Sequence, residues 1–315
     1  MDNDMNKHAG SSKLIVAVSI FGISLLLFFP TSCAADYVTT TETFQLAGGA
    51  GAASYLLMTP SGASTGGTHP LIVYLYGRGG SIQPGQYNLA DSSYNQFRQL
   101  ASSQGYDIIV PELGTDDWMN NQAEQTLDAI IADAGAKNPI NLNAVNVMGM
   151  SMGGGSALAY TIHRPDLIKA VCSLSGMSDF AQWVQENPTY LSSVSTAYGG
   201  SPSQVPAAWA KTSAMENLGA FTNIPVYLVH GSADTTVPPS QSIQLYDALT
   251  NLGDNVTLQL AQGLGHVDGV VTPYSANIVD FFNSADSVSA PEPSTWALLV
   301  MGLLCLLAYA RRKRK

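Results

Sequence analysis

Gly149-Met150-Ser151-Met152-Gly153 decides how the rest of the chain is read, because of what lies on either side of it. Ahead of it, Ala144-Val145-Asn146-Val147-Met148 is a short β-rich run; after it, Gly154 and Gly155 lead into the helix-like residues 156–163. A G-x-S-x-G between a strand and a helix is a nucleophile elbow. The turn is so sharp that side chains at the two outer glycines would collide with neighbouring backbone, and the serine is held in a strained conformation. In return its Oγ stands exposed at a helix N-terminus, where the Met152 backbone N–H faces a developing oxyanion.

Such a serine needs an acid and a histidine, in that chain order, each on a loop after a later strand. Ile224-Pro225-Val226-Tyr227-Leu228-Val229 reads as a buried strand that runs into His230-Gly231-Ser232-Ala233-Asp234. A helix-like stretch at 240–252 follows, then an alternating strand at 255–260, then Gly263-Leu264-Gly265-His266. Asp234 would fix the imidazole tautomer of His266, and His266 would take the serine proton. Asp179, after the strand 170–174, is the competing acid; Asp234 is preferred because its loop lies one strand before the histidine. Asp268 is too close in sequence to His266 for the usual arrangement. His69, His163 and His230 are read as hydrogen-bonded structural residues.

A second oxyanion donor is expected after an earlier strand. Leu71-Ile72-Val73-Tyr74-Leu75-Tyr76 is that strand, and Gly77-Arg78-Gly79-Gly80 follows it. With these motifs the chain resembles the α/β-hydrolase family, in particular its secreted esterases of the dienelactone-hydrolase, polyhydroxyalkanoate-depolymerase and feruloyl-esterase kind, over about residues 44–283. The resemblance implies a mostly parallel central sheet with helices on both faces. It also implies a backbone donor at Arg78 or Gly79. Where the family has His-Gly, this chain has Tyr76-Gly77. The arginine side chain would add a positive charge near an oxyanion or a carboxylated substrate; a solvent-facing arginine is the alternative and the commoner outcome.

Strands at 53–58 and 106–111 and helices at 94–103 and 122–136 complete an alternating α/β pattern. Residues 180–221 break it, with Trp183, Tyr190, Tyr198 and Trp209 among prolines and glycines, and read as a small helical cap. Tyr76, Trp118 and Trp183 are the candidate pocket residues. Ordinary packing of the cap is the competing role for its aromatics.

The chain has 315 residues, 46% of them hydrophobic and 11% charged, with a net charge of −10. That is enough for one large core. Between residues 36 and 290 the basic residues are Arg78, Arg98, Lys137, Arg164, Lys169 and Lys211. With no basic face, nucleic acid is excluded as a partner. No Zn-type Cys/His spacing is visible, and neither metal nor cofactor is implied. Cys33 and Cys305 lie in the terminal segments, which leaves Cys172 alone in the central domain, without a disulfide framework.

Lys7 and Lys13 precede an apolar run at 14–29, then Pro30 and Ser32-Cys33-Ala34-Ala35. This reads as a signal peptide over residues 1–35; lipidation at Cys33 and an uncleaved anchor are the alternatives. At the other end Pro291-Glu292-Pro293 precedes an apolar run at 296–310 and Arg311-Arg312-Lys313-Arg314-Lys315. The run is short for a membrane span, and its basic cluster would stay cytoplasmic. This order resembles the PEP-CTERM sorting signal of Gram-negative bacteria and implies an exosortase-type processing enzyme as a partner; a plain membrane anchor is the alternative.

The domains are therefore expected at 1–35 (signal), 36–286 (α/β-hydrolase domain) and 287–315 (linker and sorting or transmembrane segment). The expected function is an exported serine carboxylesterase, at the cell surface, in the matrix or membrane-anchored. Its substrates would be acyl or aryl esters of extracellular polysaccharide or small molecules. A serine peptidase or polyester depolymerase on the same triad is the first alternative. A non-catalytic surface protein that retains the scaffold is the second.

Overall fold

The computed structural model describes residues 17–20, 23–26, 37–62 and 67–287. Ala17–Ile20 (β1) and Ile23–Leu26 (β2) pair antiparallel with each other. The rest of the expected signal segment and the sorting tail lie outside the described residues.

One eight-stranded sheet organises the molecule. Its strands are Tyr37–Gln45 (β3), Ala52–Pro60 (β4), His69–Leu75 (β5), Asp107–Pro111 (β6), Ile140–Met150 (β7), Ile168–Leu174 (β8), Val226–Gly231 (β9) and Val256–Ala261 (β10). They lie in the order β10-β9-β8-β7-β5-β6-β4-β3. From β6 across to β10 every pairing is parallel, whereas β4 joins β6 and β3 joins β4 antiparallel. Parallel neighbours need crossovers, and helices supply them. These are Asn95–Ser103 (α1), Asn121–Lys137 (α2), Met152–His163 (α3), Phe180–Glu186 (α4), Leu191–Tyr198 (α5), Pro206–Thr212 (α6) and Ser240–Leu252 (α7); Ser275–Ser287 (α8) follows β10.

The two-residue period of a strand splits the core in two. Ile72 and Tyr74 of β5 and Met148 and Met150 of β7 face one side, where Phe97 of α1 and Ile278 and Phe282 of α8 cover them. Leu71, Val73 and Leu75 of β5 and Val145 and Val147 of β7 face the other. There they meet Leu127, Ile130 and Ile131 of α2, Ala157 and Leu158 of α3, and Leu245 and Leu249 of α7. Each fully buried side chain of this kind stabilises the fold by roughly 1.5–3 kcal/mol. The fold is the expected one, a mostly parallel sheet with helices on both faces.

Two elements escape the sequence pattern. β3 is held to β4 by a continuous ladder from Tyr37–Pro60 to Gln45–Ala52, yet most of its side chains are exposed, so no apolar alternation announces it. α8 closes the chain against α1 and runs to Ser287, one residue past the expected domain end. Between β8 and β9 the chain forms α4, α5, α6 and short 3-10 turns. Aromatic contacts hold this region together, with Tyr198 edge-on to Trp209 at 4.9 Å and to Phe180 at 6.2 Å. Lys211 on α6 pairs with buried Glu124 on α2 and ties the region to the body. Among the described residues no helix is long and apolar enough to cross a membrane.

Candidate active site

Ser151 sits between the end of β7 and the first turn of α3, with φ 57° and ψ −118°. For a residue with a Cβ this conformation costs on the order of 1–3 kcal/mol, and the surroundings enforce it. Its N–H donates to the Leu174 carbonyl at 2.8 Å, and its own carbonyl accepts from the Gly155 N–H at 3.0 Å. A Cβ at Gly149 would lie 2.3 Å from the Gly153 oxygen, and one at Gly153 would lie 2.0 Å from the Leu75 oxygen. Both are backbone collisions, so the elbow can be built from glycine alone at these two positions.

β9 and β10 deliver the other two groups. Ser151 Oγ lies 2.7 Å from His266 Nε2, and His266 Nδ1 lies 2.7 Å from Asp234 Oδ2. Asp234 Oδ1 accepts the N–H groups of Thr236 and Val237, each at 2.9 Å. Burial by itself would raise the Asp234 pKa. The hydrogen bonds from His230 and His266, the His266 charge and the Val237 N–H outweigh burial and hold the carboxyl below the usual carboxylate range. An ionised Asp234 places the neutral imidazole's proton on Nδ1, which leaves the Nε2 lone pair for the serine hydroxyl.

Gly231 makes this approach possible, because a Cβ there would lie 2.4 Å from the Gly265 oxygen. The sequence signal was present in His230-Gly231 at a strand end, but the crowding that demands glycine comes from a loop more than thirty residues away.

The other candidate acids and histidines have other partners, although His230 also reaches Asp234, its Nε2 3.5 Å from Oδ2. Asp179 caps α4 by accepting the Gln182 N–H at 2.9 Å. Asp268 accepts from Tyr94 Oη at 3.1 Å and from Asn88 Nδ2 at 3.2 Å; burial pushes its pKa up. His69 pairs with Asp107, and His163 with Asp128. His230 is fully buried, with Nε2 2.8 Å from the Val237 carbonyl and Nδ1 2.7 Å from Ser242 Oγ. A carbonyl only accepts, so Nε2 carries the proton and Nδ1 takes the Ser242 hydroxyl.

Of the three backbone donors expected at an oxyanion, Met152 N–H opens α3 and has no intrahelical acceptor. The Gly79 N–H donates to the Thr115 carbonyl at 2.7 Å and is thereby removed from the expected pair, leaving Arg78. The adjacent Gly77 N–H donates to Asn88 Oδ1 at 2.6 Å. Asn88 thus fixes the loop after β5 against Asp268, two residues beyond His266. Nothing in the sequence marked Asn88 or Asp268 for that role.

A cavity of about 310 Å³ opens beside the serine, and Ser151, His266, Arg78, Trp118, Trp183 and Tyr190 are in its wall. Trp118 and Trp183, two of the three candidate pocket residues, line this cavity. Tyr76 does not: its ring is buried and its hydroxyl donates to Glu112 Oε1 at 2.9 Å and accepts the Leu113 N–H at 3.0 Å. It braces the segment after β6, because it continues the alternation of Ile72 and Tyr74 one residue past the end of β5 and so points into the core.

Trp118 reaches the cavity through an unusual turn. Trp118 and Met119 have φ 48° and 51°, both left-handed. The Asn120 N–H closes the turn on the Asp117 carbonyl at 2.9 Å, and Asp117 Oδ1 accepts the Met119 N–H at 2.8 Å. This geometry belongs to glycine and asparagine, so placing a tryptophan and a methionine there stores strain. Burial, with smaller contributions from Asp116 and Glu112, leaves the Asp117 pKa pushed up to about 7. Among the described residues no three His, Cys, Asp or Glu side chains converge as a metal-binding group.

Comparison with known proteins agrees with this architecture. Residues 110–284 match the prolyl oligopeptidase family, and residues 289–315 match the PEP-CTERM protein-sorting motif. No curated protein sequence matches the chain. An acylaminoacyl peptidase from Pyrococcus horikoshii superposes with a TM-score of 0.59 at 18% identity, over 79% of this chain and 41% of that one. A puromycin-hydrolyzing peptidase from Mycobacterium tuberculosis gives 0.63 at 19%, over 78% and 40%. An S-formylglutathione hydrolase from Agrobacterium tumefaciens gives 0.62 at 14%, over 86% and 99%. The chain spans about two fifths of the length of the peptidase structures it matches. At these identities the structures speak for the fold alone, whereas the family match covers more than half of the sequence. The chain belongs to the prolyl oligopeptidase family, has the α/β-hydrolase fold, and carries a PEP-CTERM sorting motif at residues 289–315.

Proposed function

We propose that the protein is an exported serine carboxylesterase in which Ser151, His266 and Asp234 act as one unit. The observation that carries this reading is the continuous relay from Ser151 Oγ through His266 to Asp234, with both links at 2.7 Å. As the Ser151 oxygen attacks the ester carbonyl, His266 Nε2 takes its proton and becomes cationic beside ionised Asp234. The carbonyl oxygen gains negative charge and accepts from the N–H groups of Met152 and Arg78. His266 then gives the proton to the departing alcohol, which leaves an acyl group on Ser151. Water, activated by the same imidazole, releases the acid and restores the serine.

An S-formylglutathione hydrolase shares this fold over 99% of its own length, so ester chemistry is among those the fold carries. Peptide hydrolysis is the second reading; the family match favours it. The sorting motif implies an exosortase-type processing partner and export in a Gram-negative bacterium, with the catalytic domain outside the cytoplasmic membrane.

The test is turnover of p-nitrophenyl butyrate against an aminoacyl p-nitroanilide, each with wild type and S151A. Ester turnover that exceeds anilide turnover and disappears in S151A supports the proposal. Anilide turnover dominating on the same serine transfers it to the peptidase reading, and ester turnover unchanged in S151A removes the nucleophile.

A further inference from the structure

Arg78 stands out in an acidic chain as a cation built into the wall of the cavity that holds Ser151. It is fixed rather than free. Its Nε donates to Asp116 Oδ1 at 2.5 Å, and its guanidinium carbon lies 5.6 Å from the Tyr190 ring centroid. Asp116 Oδ1 also accepts from Ser193 Oγ at 2.6 Å, and Ser193 Oγ accepts from Trp118 Nε1 at 2.7 Å. One chain of polar contacts therefore locks the cation to the indole that the strained turn delivers.

The same indole lies 5.6 Å from Trp183 and 6.3 Å from Tyr190, and Trp183 and Tyr190 stack at 4.7 Å. The two indoles are packed against each other and almost fully buried, so the wall shows the partly open ring of Tyr190 backed by them, with the guanidinium beside it. Only Nε is engaged: among the described residues Nη1 and Nη2 have no hydrogen-bond partner. Their outer edge is the planar two-donor fork that suits a carboxylate. Asp268, the carboxyl group that shares the cavity, has each oxygen occupied by Asn88 or Tyr94, so it does not neutralise the fork by direct contact.

We propose that Arg78 is a specificity-determining residue: its Nη edge binds a carboxylate on the substrate while the open part of Tyr190, backed by the buried indoles of Trp118 and Trp183, meets a flat group between that carboxylate and the scissile ester. The substrate class is thus a half-ester of an aromatic or similarly planar dicarboxylic acid. The choice of ester rests on the proposed function above; the binding of a planar anion does not.

Two measurements separate these claims. The first compares KM for p-nitrophenyl benzoate and mono-p-nitrophenyl terephthalate, which differ by one remote carboxylate, in wild type, R78Q and R78K. A charge-assisted pair predicts KM about tenfold lower for the terephthalate half-ester in wild type, a ratio near one in R78Q, and an intermediate ratio in R78K. Equal KM values in wild type, or a preference that survives in R78Q, overturn the proposal.

The second follows tryptophan fluorescence of S151A as benzoate or neutral benzamide is added. Benzoate binding about tenfold tighter, with the difference abolished in S151A/R78Q, supports the anion site without any turnover. If this holds while neither ester is cleaved, the esterase reading fails and the anion site stands. Equal binding of the two ligands to S151A overturns the anion site whatever the hydrolysis shows.

Discussion

The elbow and the cavity wall lie side by side, yet they were built under different constraints. At the elbow the backbone packs so closely that Gly149 and Gly153 admit no side chain at all. At the wall the geometry depends on side chains from distant segments, Arg78, Trp118, Trp183 and Tyr190, linked through Asp116 and Ser193. Both regions hold non-glycine residues at positive φ, Ser151 in one and Trp118 with Met119 in the other. At the elbow the strain sits on the proposed nucleophile itself. At the wall it sits on the turn that brings Trp118 to the cavity beside it.

The largest expected effect breaks the comparison at its first term. Ser151→Gly removes the nucleophile and relaxes the φ of 57°. Ester turnover should fall by about 10⁴-fold or more, while the native state gains about 1 kcal/mol by thermal denaturation. Loss of stability in this variant would deny that the elbow is strained. Asp234→Asn leaves the packing intact and misorients the imidazole proton, so kcat should drop by about 10³- to 10⁴-fold with KM little changed.

Gly153→Ala tests the packing term. A methyl group 2.0 Å from the Leu75 oxygen forces β5 and β7 apart, which should cost more than about 3 kcal/mol or abolish folding. A stable, active variant would show that the elbow relaxes where the structure is rigid.

At the wall, Asp117 gives a pH signature. Its folded pKa of about 7 lies above the usual value of about 3.9. The native state therefore holds a proton that the unfolded chain has released. The stabilisation from this group is complete below about pH 4 and is lost as pH rises through about 7. Wild type should lose about 1–3 kcal/mol between pH 5 and 8 from this source, and D117N, which keeps an oxygen for the Met119 N–H, should show a flatter profile. Asp234 has the opposite sign: its depressed pKa contributes stability above about pH 4 that is lost only as pH falls further. The smallest effect is at Tyr76→Phe. Loss of the hydroxyl between Glu112 and Leu113 should cost about 1–2 kcal/mol and leave KM for esters within about twofold.

The same contrast explains what the sequence disclosed. A strand, G-x-S-x-G and a helix form a local pattern, and Asp234 and His266 each follow a strand in the required order, so a reader of residues alone finds them. Trp118 and Trp183 were legible as aromatics near the right strand ends. Tyr190 was read with them as a cap aromatic, yet nothing local sets its contact with Arg78 apart from ordinary packing. The position of Tyr76 after β5 suggests the site, whereas the alternation continued from β5 turns its ring inward, away from the cavity lining. Gly79 is lost as a donor through one hydrogen bond to Thr115, a residue 36 positions away. Asn88 and Asp268 meet across 180 residues, a contact that no local pattern encodes. Edge strand β3, largely exposed, has no periodicity to read.

The most direct test of the central claim is covalent. Incubated with a fluorophosphonate, the protein should carry one adduct, located by peptide mass spectrometry on Ser151, with labelling slowed by at least about 10³-fold in H266A. A folded protein that takes no adduct, or one labelled at another residue with H266A indistinguishable from wild type, would contradict the account.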